Sequence, residues 1–535
     1  MIRRIILNGF ATYSRLATTF AFGLIYTSYV TSKLGLEGFG LVSLAAGTFG
    51  ISFAIEAGIG LAVSRELAPA FATKCREQIR RAFCITFSAS CIFGILGWAV
   101  SLLLAFLSTK GVIKIPEDQP FFLRGLVWLL LSEGSIALVR SIFAVWHRSA
   151  FANQMIWLDS IYLIIERLGK PLVAIYILQS ADSAEAGMQL IPQLAIGNFV
   201  WASLAILVAS LVSVLVIPES RVLPAMANKG ELWNILGRIF DSLQFSFLSG
   251  FTPQFLALVV NSTLGLAFNG IWSVVVQLGG WCTLLGEGLL RGVDPIMVHF
   301  RANQGESQLR STLIVLCRVQ AYVFIVLGAC ILSAGPRLID AWVGKSWASD
   351  PALDVLGLTP EQAIHFACFI AFLQLTALVP RMVFSPLERT LFGFGHMRSY
   401  LRYTWVSSVG ALVVSLPAMH FTGWLGWAPV SVLGANLYTY AIGVHRASTA
   451  LDAEGSRLDA SKLVLRPLAV LLVAWPIAPV LWSFGSDWSL TTYLVSVGLH
   501  VLATGLVVIL MEWGQLKRSF APRLNRRLSA FLLKK

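Results

Sequence analysis

The chain has very little charge. Only 13% of its 535 residues are Asp, Glu, Lys or Arg, while 57% are hydrophobic. Average soluble domains carry roughly 25% charged residues. A soluble globule of this composition could not cover its surface, so a polytopic membrane protein is expected. The seven cysteines include no Cys-x-x-Cys pair. Most fall in apolar runs, where they read as small core residues rather than disulfide or metal ligands. Also absent are a Gly-x-x-x-x-Gly-Lys-Ser/Thr phosphate loop, a Gly-x-Ser-x-Gly nucleophile turn and a His-Glu-x-x-His zinc motif. The seven histidines are scattered. ATP hydrolysis, serine-type catalysis and metal chemistry therefore have no sequence support, and no cofactor or catalytic residue is expected. No small-residue cleavage site follows the first apolar run, so it is expected to stay as a membrane span.

What the chain does have is long apolar runs. Windows of about 20 residues give about fourteen spans. They lie near 10–31, 38–63, 83–107, 123–146, 155–178, 191–217, 236–261, 266–290, 313–334, 363–384, 404–421, 423–443, 465–484 and 490–511. The formal net charge is +13. It sits in alternate loops, such as Lys74–Arg81, Arg389–Arg402 and the tail Lys517–Lys535, whereas Asp182, Glu185, Asp350, Asp354, Glu361 and Asp487 occupy the others. This alternation is expected to place both termini in the cytoplasm, and it argues against nucleic acid as the partner of the basic charge.

The stretch Leu34–Ser43 has an echo. Leu34, Gly35, Leu36, Gly40, Ser43, Gly50 and Gly58 find identical residues at Leu264, Gly265, Leu266, Gly270, Ser273, Gly280 and Gly288. A fixed offset shared by turn residues signals internal duplication. Span two aligns with span eight, so the repeat is six spans long and its copies insert with the same orientation. The expected fold is all-α. It has an N-terminal six-helix bundle over 1–217, a second over 218–446, two extra transmembrane helices over 447–511 and a basic cytoplasmic tail over 512–535. The Leu34–Ser43 stretch itself reads as a structural turn and not as a ligand motif.

The repeated Leu-Gly-Leu-x-x-x-Gly element, the patch Ser385–Arg398 and the short turn Gly423–Pro429 together resemble bacterial polysaccharide-biosynthesis exporters. These are the O-antigen and oligosaccharide-lipid flippases of the multidrug/oligosaccharidyl-lipid/polysaccharide export superfamily. The resemblance implies two bundles around a central cavity, moving a polyprenyl-pyrophosphate-linked oligosaccharide across the inner membrane by alternating access. It also implies membrane lipids and polysaccharide polymerase or assembly proteins as partners. A multidrug-type antiporter and a lipid II flippase are the alternatives within the superfamily. A membrane polymerase or ligase is the alternative outside it, although the short 335–362 loop lacks the expected histidine.

Charges inside apolar spans are costly and face a cavity or a partner. Arg15 in span one and Arg167 and Lys170 in span five are candidates for a substrate pyrophosphate. Arg238, Asp241 and Gln244 in span seven join them through repeat equivalence with span one. Asp159 and Glu166 share a helical face, and with Glu56 and Glu287 they are candidates for ion coupling. The four-residue spacing of Glu166 and Lys170 suggests that they pair. The same argument pairs Arg238 with Asp241, and Arg291 with Asp294. The tryptophans near span ends, including Trp342 and Trp347, read as an interfacial belt.

Overall fold

The computed structural model describes residues 2–48, 66–71, 73–111, 120–153, 155–288, 306–347, 350–393, 397–451, 460–485 and 489–532, with Ile59, Val63 and Ile113 between them. Some side chains within these helices are not described. Among the described residues every regular element is a helix. The long ones are α1 (Ile2–Thr48), α2 (Arg76–Thr109), α3 (Pro120–His147), α4 (Ile156–Leu178), α5 (Ile191–Val216), α6 (Lys229–Leu264) and α7 (Leu266–Gly288). They continue as α8 (Glu306–Ile339), α9 (Pro360–Gly393), α10 (Met397–Thr422), α11 (Trp427–Leu451), α12 (Ala460–Ala474), α13 (Ile477–Gly485) and α14 (Leu490–Leu532). Nine helices among the described residues are long and apolar enough to cross a membrane. The expected first, seventh and twelfth spans are not among them, most of the second lies outside the described residues, and the fifth, α4, is also not among the nine. Asp159, Glu166, Arg167 and Lys170 lie within its 23 residues.

The chain packs as two compact units. The first comprises residues 1–284, 339–378 and 394–442, and the second 285–338, 379–393 and 443–535. In the first, α1 packs on α4 and α6, α3 on α2 and α5, α4 on α5, and α6 on α10. Small residues allow close approach. A Cβ on Gly94 would lie 2.6 Å from Ser141 Cβ, and one on Gly169 would sit inside the Trp201 indole. That indole donates to the Ile165 carbonyl at 3.2 Å.

The duplicated stretch is where equivalent positions meet. Helix α1 bends at Gly35, whose φ is +72°, and α6 ends at Gly265, whose φ is +93°. Both are in the left-handed region that glycine enters without cost. Beyond these turns a Cβ on Gly40 would lie 2.4 Å from the Leu266 carbonyl oxygen, and one on Gly270 2.6 Å from that of Leu36. Asn269 Nδ2 donates to the Gly40 carbonyl at 3.0 Å.

In the second unit, α12, α13 and α14 dock on α8. Trp475 and Trp482 donate to the Ile325 and Leu332 carbonyls at 3.0 and 2.6 Å. Tyr493 donates to the Ser333 carbonyl at 2.7 Å. Glu512 accepts from Tyr322 at 2.7 Å, Arg466 at 3.0 Å and Arg318 at 3.4 Å.

Two expectations about packing change. Trp342 and Trp347 are buried in the first unit. The Trp342 Nε1–H finds the Leu24 carbonyl at 3.0 Å, which removes the need for an interfacial position. Cys282, Cys317 and Cys368 are core residues, whereas Cys75 and Cys330 are exposed.

Candidate functional site

Three helices of the first unit bring the intramembrane charges together. On α4, Asp159, Glu166 and Lys170 point at partners on α3 and α1. Asp159, 3% exposed, lies 3.4 Å from Arg148 and 3.8 Å from Arg15. Glu166 pairs with Arg140. Lys170 lies 3.5 Å from Glu133. The order of partners runs backwards along α3 as it runs forwards along α4, as in an antiparallel pair. The expected Glu166–Lys170 pair is therefore replaced by two pairs to α3, because that neighbouring helix presents Arg140 and Glu133 at the same levels. Buried charges are costly unless paired, and each carboxylate of this ladder has a cationic partner.

Arg167 sits on the exposed side of α4. With Lys170 and Pro171 it lines a cavity of about 240 Å³, completed by Thr19, Phe22, Gly23, Tyr26 and Thr27 of α1 and Gln277 and Trp281 of α7. The cavity wall is built from close contacts. Trp281 is held edge-on by Phe20 at 4.7 Å and leans on Trp342 at 4.9 Å. Gly23 leaves the space that Trp281 needs, since a Cβ there would be 3.2 Å from the indole. Pro171 lacks an amide hydrogen, so the helical bond to the Arg167 carbonyl is missing at this point of the wall. Thr27 donates to Gln277 Oε1 at 2.8 Å. With its oxygen engaged, the Gln277 amide offers its N–H donors to the cavity. Arg167, Lys170, Gln277 and the Tyr26 hydroxyl make a donor-rich lining. Elsewhere along α4 the charges are paired: Asp159 with Arg148 and Arg15, Glu166 with Arg140, and Lys170 with Glu133.

The other expected site residues are placed as follows. Gln244 lies on α6, where its oxygen accepts from Trp405 Nε1 at 3.1 Å. It faces α10 and does not join Arg15. The side chains of Arg238, Asp241 and Glu287 lie outside the described residues, as do Glu56, Arg291 and Asp294. The supposed Arg15–Arg238–Asp241–Gln244 group is thus not assembled by what is described. Sequence reasoning missed Glu133, Arg140 and Arg148, although Glu133 and Arg140 are charges inside an apolar run and carried the same signal as Glu166. Nothing local marks Thr27, Gln277 or Trp281. Among the described residues, no group of His, Cys, Asp and Glu could hold a metal.

No protein-family model and no curated protein sequence matches the chain. Solved structures do. A multidrug resistance MATE family transporter of the MOP superfamily, in its inward-facing conformation, superposes with a TM-score of 0.61 at 14% identity, covering 84% of this chain and 100% of its own. The lipid II flippase MurJ, in an inward closed conformation, gives 0.61 at 14% identity, covering 96% of this chain and 100% of its own. The Vibrio cholerae MATE transporter VcmN gives 0.57 at 12% identity, over 85% and 97%. The fold is that of MOP-superfamily transporters.

Proposed function

We propose that the protein is a flippase. It moves a polyprenyl-pyrophosphate-linked oligosaccharide across the cytoplasmic membrane by alternating access, in the service of surface polysaccharide biosynthesis. The observation that carries this reading is the donor-rich cavity lined by Arg167, Lys170 and Gln277, with no carboxylate among its described lining residues. A pyrophosphate brings the opposite charge and a crowd of acceptor oxygens, and Arg recognises phosphate oxygens in pairs. A multidrug antiporter for cations needs a cavity of the opposite sign. The extra coverage by MurJ over the MATE fold also supports a lipid-linked substrate. In this reading the two six-span repeats, 1–217 and 218–446, are the moving bundles, the last two spans lie outside the repeat, and both termini are cytoplasmic. Polymerase or assembly proteins would receive the product.

The decisive experiment uses the purified protein in lipid nanodiscs with a polyprenyl pyrophosphate and the uncharged polyprenol as probes. Selective binding of the pyrophosphate, lost in Arg167→Ala with Lys170→Ala, is the expected result. Equal binding of both lipids overturns the reading. Lipid II itself is the second candidate substrate. Rescue of a cell depleted of its own lipid II flippase would assign it.

A further inference from the structure

We infer that the Gly35 turn and the segment around Asp350 form an extracytoplasmic clasp, and that Glu37 binds a proton when the clasp closes. This goes beyond the transport reading and does not depend on what the cavity carries.

The contact itself is a shared cap. Helix α1 restarts after Gly35, so the first amides beyond the bend have no carbonyl one turn back. The Leu36 N–H is taken by Asp350 Oδ2 at 2.5 Å. The other carboxylate oxygen of Asp350 accepts from Ala352 N at 3.0 Å and caps the short helix Pro351–Leu356. One side chain thus ties the start of two helices. Gly35 is required twice over at this hinge. Its φ is +72°, and a Cβ would stand 3.1 Å from Asp350 Oδ2.

Glu37 follows directly and lines a cavity of about 350 Å³ beside this contact, between the ends of the expected first and second spans. Among the described residues, the other charged groups facing it are Lys33, Asp182 and Asp350. Glu185 and Asp354, on the short helices that border it, are exposed. Lys33 gives its ammonium to the Ala181 carbonyl at 2.8 Å and keeps its charge, but the carboxylates of Glu37, Asp182 and Asp350 outnumber it in the lining. Thr31, 1% exposed, lines the same cavity, and its hydroxyl has no partner.

Closing the clasp half-buries Glu37 next to another carboxylate. Burial first, and the neighbouring Asp350 second, push its carboxyl above the ordinary range. A raised acid value means that the closed form holds the proton more tightly than the open form. At low pH Glu37 is protonated in both, and closure carries no charge penalty. As pH rises through the raised value, closure becomes harder.

Hydrogen exchange of the 31–40 segment in nanodiscs tests this, after correction for the pH dependence of intrinsic exchange. Protection of the Leu36 amide is expected to be lost progressively as the pH is raised from 5 to 8. Glu37→Gln, a near-isosteric neutral change, is expected to hold protection high and flat across that range. Asp350→Asn is expected to lower it at every pH, which shows that the protection reports this contact. Wild-type protection that does not change with pH overturns the proposal, as does a Glu37→Gln variant that keeps the wild-type pH dependence.

Discussion

Ser273 Oγ lies 2.5 Å from Ser43 Oγ, although 230 residues separate them. They are the same position in the two copies of the repeat, so each copy meets its own equivalent. Gly40 and Gly270 flank the pair, each against the other copy's backbone. Small residues and a hydroxyl pair make a contact that can be dense when formed and still come apart without stranding a buried charge.

The density of this contact gives the first expectation. In Gly270→Ala the new methyl would stand 2.6 Å from the Leu36 carbonyl oxygen, a backbone atom that cannot rotate away. Overpacking of this kind costs about 1–3 kcal/mol. A lower melting temperature in detergent is expected, whereas Gly280→Ala, with open space around it, should melt like wild type. Equal melting of the two variants would falsify the packing described.

Much of this was legible from residues alone. The fixed offset marked Leu34–Ser43 and Leu264–Ser273 as equivalent, because glycines with positive φ and residues in close contact tolerate few replacements. The charges of α4 stood out against hydrocarbon. Their partners did not. Which helix faces α4 is set by packing between distant segments, so a local i, i+4 rule chose Lys170 for Glu166 where the fold supplies Arg140. The cavity wall was least legible. Thr27 and Gln277 are 250 residues apart, and neither is unusual in its own span.

The ion-pair ladder makes a sharp distinction between structural and functional charge. Arg140→Ala leaves Glu166, which is 7% exposed, buried without this partner. Breaking such a pair from one side costs about 3–5 kcal/mol, while replacing both partners with apolar residues is near neutral. Arg140→Ala is therefore expected to lose folded protein, and Arg140→Met with Glu166→Leu to recover most of it. If the double variant folds and still exports glycan, Glu166 is not the coupling residue.

Arg15 behaves differently. It shares Asp159 with Arg148, so Arg15→Ala leaves the carboxylate with a cation. Normal membrane insertion and near-normal melting are expected, together with loss of surface glycan export. Wild-type glycan levels in that variant would remove Arg15 from the substrate path.

Arg167 and Lys170 carry the most direct test of the cavity. A hydrogen bond to a charged group contributes about 1.5–3 kcal/mol, and each 1.4 kcal/mol is a factor of about ten. Arg167→Ala is expected to weaken polyprenyl pyrophosphate binding by about 10- to 100-fold. Lys170 also sits 3.5 Å from Glu133, so Lys170→Ala combines a lost contact with a carboxylate that has lost this cation at the rim. Its effect on binding should be at least as large. Lys170→Ala with Glu133→Gln separates the two contributions: recovery to the Arg167→Ala level assigns the excess to Glu133, and no recovery assigns it to a direct contact with the pyrophosphate. Arg167→Lys keeps the charge but not the paired donors, so its binding should fall between wild type and Arg167→Ala. Full wild-type affinity in Arg167→Ala would move the pyrophosphate site away from α4.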